Sequence, residues 1–141
     1  MQALAGSDRA TASPNLAAFW KALPRAELTH EGRVLELVDG TTFLGSADLR
    51  GQLYVRVHYE KLWAIIHNLQ QTGMRRLVVT GNPGIGKSCF GLYMLHELAL
   101  LGKTVVWQRS RAAERYLFKD GAVFQGDIKS FTAELRNSSV W

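Results

Sequence analysis

The sequence predicts an α/β fold with a parallel core sheet, flanking helices and β-hairpins. Two short valine-rich runs, "RRLVVT" (75–80) and "KTVVWQ" (103–108), read as strands buried on both faces, the pattern of a parallel sheet. Between them "SCFGLYMLHELALLG" (88–102) is apolar almost all round and predicts a mostly buried helix ended by Gly102. Strand, glycine-rich turn, helix and strand make a βαβ unit, whose crossover is right-handed. Asp39-Gly40 and Asp120-Gly121 tolerate positive φ and sit between alternating apolar residues, so each predicts a hairpin.

The remaining elements follow in chain order. Residues 1–14 are small, polar and aperiodic, the composition of a flexible leader. Residues 15–32 form a docking helix and linker: Leu16, Phe19, Trp20 and Leu23 share one helical face, and Pro24 stops the helix. Residues 33–141 make the α/β body. "GRVLELVDGTTFLG" predicts two strands around its turn. In "LYVRVHYEKLWAIIHNLQQTG", Val55, Tyr59, Leu62, Trp63, Ile66 and Leu69 recur at helical spacing, and Gly73 suits a left-handed cap. "RYLFKDGAVFQG" is the second hairpin, "IKSFTAELRN" a last short helix, and "SSVW" reads as the beginning of a strand cut short.

A chain of 141 residues with 47% apolar content buries one core. The net charge of +5 is spread along the chain, as on a solvated surface. One cysteine, Cys89, excludes an intrachain disulfide. The N-terminal stretch has no apolar core of the kind a signal peptide requires, and no run is long enough to span a bilayer, so no membrane partner is expected.

"GNPGIGKS" (81–88) matches G-x-x-x-x-G-K-[ST] in full. Gly81 and Gly86 let the chain turn where a side chain would clash, and Gly84 lowers the barrier to a close phosphate. The N–H groups across Asn82, Pro83, Ile85 and their glycine neighbours, proline excepted, then form an anion nest. The following helix adds its positive dipole end, Lys87 reaches the β- and γ-phosphates, and the Ser88 hydroxyl ligates Mg²⁺. Cys89 completes the candidate nucleotide-binding set. The pattern arises by chance in roughly one chain of this length in a few hundred, and the strand before and helix after it narrow that further. The expected ligands are ATP and Mg²⁺.

Hydrolysis also needs a strand-end carboxylate for Mg²⁺ and a group that orients water. Asp39 and Asp120 are turn residues and Asp127 falls in a loop, so no residue is assigned a catalytic role and hydrolysis by this chain alone is doubted.

"LGSADLRGQLYVRVHYEKLWAII" followed by "RRLVVTGNPGIGKSCFGLYMLHELALLGKTVVW" resembles the P-loop ATPase region of the Crinkler effector family and the related retrotransposon hot spot proteins. The phosphate loop is shared by many ATPases; Tyr54-Val55-Arg56 and Tyr59-Glu60-Lys61-Leu62 narrow the choice. The resemblance covers about Arg33 to Trp141. It implies that 33–141 is the N-terminal part of a P-loop NTPase, truncated before the strand that ends in the magnesium-binding Asp. It also implies a secreted effector of oomycetes or similar microbes, acting inside host cells and often in the nucleus, with a host protein or nucleic acid as partner. The family's L-x-L-F-L-A-K leader is absent from this sequence.

Other candidates receive plainer readings. Cys89 is assigned to apolar packing ahead of a pKa-lowered thiol, and Arg56 to a surface ion pair ahead of a phosphate contact. His58, His67 and His96 lack metal-ligand spacing, and Trp63 and Trp107 belong to the core. Two function classes stay open: an ATP-binding module, and a non-catalytic interaction protein with a vestigial phosphate loop. A sheet interrupted at Trp141 would also expose an edge for self-association.

Overall fold

The computed structural model describes residues 10–74, 87–108, 114–127, 129–137 and 139–141. The strand expected over "RRLVVT" (75–80) lies outside them.

The chain enters as a strand. β1 (Ala10–Thr11) pairs antiparallel with β7 (Ala122–Gly126), Ala10 opposite Gln125, and the buried Ala12 donates its N–H to the Val123 carbonyl at 3.0 Å. Residues 10–14 therefore differ from the flexible leader expected over 1–14: backbone pairing orders a segment whose side chains carry no periodic signal. Ser13 caps α1 (Pro14–Ala22), its Oγ accepting from the Leu16 N–H at 3.3 Å, and Pro14 opens the helix where a missing N–H costs nothing. A 3₁₀ turn, Leu23–Arg25, holds Pro24 and ends the helical run.

The aromatic face of α1 inserts into a core shared with the rest of the chain. Phe19 lies 5.9 Å from Phe43 and meets Phe118 edge-on at 6.4 Å, while Trp20 lies 4.8 Å from Phe118. Such offset aromatic pairs contribute beyond the area they bury.

β2 (Glu27–Thr29), β3 (Val34–Glu36) and β4 (Gln52–Tyr54) form an antiparallel sheet in that order. Leu35 and Leu53 face the core, and their register neighbours Glu36 and Gln52 face out, where Gln52 donates to Glu36 at 2.8 Å. The turn at Asp39-Gly40 is present, with φ +58 and +70. Its expected second strand is not: β3 pairs with residues 52–54, and Phe43–Gly45 form a 3₁₀ turn. Phe43 is drawn into the core beneath Phe19, and a Cβ on Gly45 would stand 2.6 Å from the Asn15 carbonyl carbon. That fit to α1 outweighs the local hairpin signal.

α2 (Tyr59–Gln71) is amphipathic, burying Tyr59, Trp63 and Ile66. It closes at Gly73 (φ +95), whose N–H donates to the Gln70 carbonyl, with Met74 donating to Leu69. α3 (Lys87–Leu100) buries Phe90, Leu92, Tyr93, Leu95, His96 and Leu98, and closes the same way at Gly102.

β5 (Val105–Gln108), β6 (Arg115–Lys119) and β7 follow, giving a four-stranded sheet in the order β1-β7-β6-β5. The Asp120-Gly121 turn joins β6 to β7 with φ +31 and +77, the left-handed pair that a two-residue hairpin demands. α4 (Thr132–Arg136) is the last helix.

The molecule is thus mixed α/β with antiparallel sheets. Among the described residues no parallel core sheet is formed, and β5 pairs antiparallel with β6 instead. Only Val105 of that strand is buried; Val106 and Trp107 are half-buried. A valine-rich run specifies a strand with apolar neighbours without specifying their direction. The outer edge of β5 meets Trp141, which is packed on Trp63 of α2.

Candidate phosphate-binding site

The glycine-rich turn Gly81, Asn82, Pro83, Gly84, Ile85 and Gly86 lies outside the described residues, as do the side chains of Lys87 and Ser88. What the structure describes is the platform that follows. α3 begins at Lys87, so the orphan N–H groups and positive dipole end of a fourteen-residue helix fall at the end of the motif. No acidic residue occupies its first turn. The helix is anchored immediately: Phe90 is buried, and its ring lies 5.3 Å from Tyr59 and 6.2 Å from Tyr93. On the β5 side Gly91 admits the Trp107 indole, which a Cβ there would approach to 3.3 Å.

Cys89 is exposed, which corrects the apolar packing role expected of it. Adjacent helical residues are 100° apart, so with Phe90 turned to the core its predecessor is turned out. Burial, with a smaller electrostatic effect of Cys89, holds the phenol of Tyr59, the first residue of α2, above its ordinary pKa. Arg56 acts in the opposite direction, its positive charge favouring the phenolate form. Among the described residues no ion pair of Arg56 is found, so the surface ion pair expected of it is not seen there. The sequence motif Y-V-R-x-x-Y accordingly divides: Tyr54 ends β4, Arg56 lies in the connection, and Tyr59 starts α2.

One turn further along α3, burial and the neighbouring Glu97 raise the Tyr93 phenol well above its ordinary value, and it keeps its proton at neutral pH. His96 is buried, with neither ring nitrogen hydrogen-bonded, and burial lowers its pKa. The Trp107 Nε1 is likewise without a partner.

The three carboxylates considered for magnesium are engaged locally. Asp39 is in a turn and pairs with Arg25 at 2.8 Å, both side chains largely exposed. Asp120 is at the tip of the β6–β7 hairpin. Asp127 accepts from the Lys129 N–H at 2.8 Å and the Ser130 hydroxyl at 3.1 Å, contacts that hold its carboxyl below the usual range. Among the described residues no group of three or more His, Cys, Asp or Glu converges as a metal cage, and no helix is long and apolar enough to cross a membrane.

Compared with known proteins, the chain matches no family model, no curated protein and no solved structure.

Proposed function

We propose that this chain binds ATP or ADP with Mg²⁺ through Gly81–Cys89, as the N-terminal part of a P-loop ATPase of the Crinkler type. The observation that carries the reading is the start of α3 at Lys87: the motif "GNPGIG" leads directly into the N-terminus of a long, core-anchored helix with no acidic residue in its first turn. A phosphate loop needs that arrangement, because its backbone donors and helix dipole must point at one anion. Lys87 supplies a charge to the β- and γ-phosphates, and Ser88 a hydroxyl to the magnesium ion carried by them.

A parallel sheet behind the loop belongs to the same proposal. It is supported by Trp141, whose two backbone hydrogen bonds to Thr104 and Val106 have parallel geometry. Binding is separated from hydrolysis by the engagement of Asp39, Asp120 and Asp127 in local turns and contacts. A secreted origin, host-cell action, and a host protein or nucleic acid as partner enter from the resemblance alone.

Calorimetric titration with MgATP tests the reading. Wild type should bind, and Lys87→Ala should weaken binding at least about tenfold, because a charge-assisted phosphate contact contributes about 1.5–3 kcal/mol. Equal affinities for the two proteins would overturn it.

A further inference from the structure

We propose that the cleft beside the β2–β3 turn binds a small aromatic carboxylate, its ring on Tyr54 and its acid group on Arg33. None of the residues involved belongs to the phosphate motif, so the inference stands apart from the nucleotide reading.

The sheet register builds the site. Leu35 and Leu53 face the core, so Val34 and Tyr54 beside them face the other way, opposite each other across β3 and β4. The Val55 N–H donates to the Arg33 carbonyl at 2.7 Å, and the Leu37 N–H to the Gly51 carbonyl at 2.8 Å. Val34 and Tyr54 are therefore a non-hydrogen-bonded pair, the kind whose side chains stand closest. Tyr54 is nonetheless 59% exposed. Together with His30, Glu31 and Arg33 the pair lines a cleft of about 420 Å³, within the usual range of small-molecule sites.

The turn that walls this cleft works against the preferences of its own residues. His30, Glu31 and Gly32 are consecutive left-handed residues, with φ of +52, +61 and +83. Glycine accepts that backbone freely, whereas histidine and glutamate hold it under strain, which recurs where a turn serves a ligand. The Thr29 hydroxyl lies 3.0 Å from His30 Nδ1 and steadies the imidazole at the rim. Arg33 is exposed and, among the described residues, forms no ion pair, although Glu31 lines the same cleft.

These groups define the ligand. The exposed Tyr54 ring offers a flat apolar face to a second ring, and the Arg33 fork matches a carboxylate bidentately. Glu31 puts a negative charge in the same cleft, which disfavours a phosphate ester or a polyphosphate relative to a singly charged acid.

The test titrates the full chain with indole-3-acetate and follows backbone amide shifts by NMR, with thermal denaturation of each variant as the check on folding. Wild type should bind with a dissociation constant of about 1 mM, which a ligand of this size reaches at ordinary efficiency. The shifts should centre on His30, Arg33, Val34 and Tyr54. Arg33→Ala should weaken binding about tenfold, and Arg33→Lys should recover part of the loss. Tyr54→Ala should weaken it roughly two- to tenfold, and Glu31→Gln should tighten it. Melting temperatures should stay near wild type for the Arg33 and Tyr54 variants, since both side chains are exposed. The surface control Lys119→Ala should bind as wild type does. Tryptophol, which has the ring without the acid, should bind more weakly and be indifferent to Arg33→Ala. Absence of binding to wild type, shifts centred elsewhere, or unchanged affinity in Arg33→Ala would overturn the site. Tighter binding of tryptamine than of indole-3-acetate would overturn it as well, by making the cleft a cation site of Tyr54 and Glu31.

Discussion

Trp141 brackets Val105 in parallel register: its N–H donates to the Thr104 carbonyl at 3.0 Å, and its carbonyl accepts from the Val106 N–H at 2.7 Å. Its indole packs 5.5 Å from Trp63 and 6.0 Å from His67. The residue therefore ties the free edge of β5 to α2. Trp141→Ala keeps the backbone bonds and removes the ring, so the unfolding free energy should fall by about 1–3 kcal/mol. Urea denaturation followed by far-ultraviolet circular dichroism measures this, and an unchanged midpoint would mean that the ring holds nothing.

His96 gives the protein an acid-sensitive core. Burial holds its folded-state pKa below the ordinary 6.5, so the unfolded chain takes up the proton more readily. Stability from this residue is present above about pH 6.5 and is lost as pH falls from there toward the lowered value, by up to about 1.4 kcal/mol per pH unit. His96→Leu should flatten the difference between denaturation midpoints measured at pH 7.5 and 5.5, pH values spanning the ordinary titration range of histidine. A wild-type slope retained in the variant would place the acid sensitivity elsewhere.

Gly45 and Gly32 both have positive φ, but their surroundings differ. A Cβ on Gly45 would meet the Asn15 carbonyl and the Leu16 nitrogen within 2.7 Å, whereas Gly32 faces open space. Gly45→Ala should cost about 3 kcal/mol or more, from strain and overlap together. Gly32→Ala should cost about 1 kcal/mol, from the left-handed backbone alone. Comparable losses in the two variants would contradict the seating of α1 on the Phe43–Gly45 turn.

Asp39→Asn separates a turn residue from a metal ligand. Asparagine accepts the φ of +58, and the exposed pair with Arg25 contributes at most about 1 kcal/mol. Stability and MgATP affinity should both stay close to wild type. A hundredfold loss of magnesium-dependent binding would make Asp39 a ligand after all.

Phosphate release under saturating MgATP should remain at the Lys87→Ala background, because positioning groups for water and magnesium typically supply orders of magnitude in rate. A Lys87-dependent turnover of about 1 s⁻¹, near the lower end of ordinary enzyme rates, would show that a carboxylate of this chain or of a partner completes the chemistry.

The elements legible in the sequence are those whose signal is local. The Asp120-Gly121 hairpin and the Gly73 cap need only positive φ at one or two residues, and α2 needs only its own apolar spacing. Where a distant contact decides, the sequence misleads. Phe43 looks like a strand residue until Phe19 is placed above it, and the valines of β5 do not state that the neighbouring strand runs antiparallel. The ordering of residues 10–14 depends on a partner strand beginning at Ala122. At the site, the motif is plain from Gly81 to Ser88. The outward face of Cys89 depends on the packing of α3 against its neighbours, for which no short pattern exists.

The pairing of Ala10 with Gln125 also bears on how the chain is made. A ribosome releasing roughly 5–20 residues per second would leave β1 and the aromatic face of α1 waiting some ten seconds for β7 to emerge. Until then Phe19 and Trp20 have no Phe118 to cover them. The closing of so long a loop also carries an entropic cost that only the finished sheet offsets. Synthesis thus exposes an apolar N-terminal surface early and covers it late.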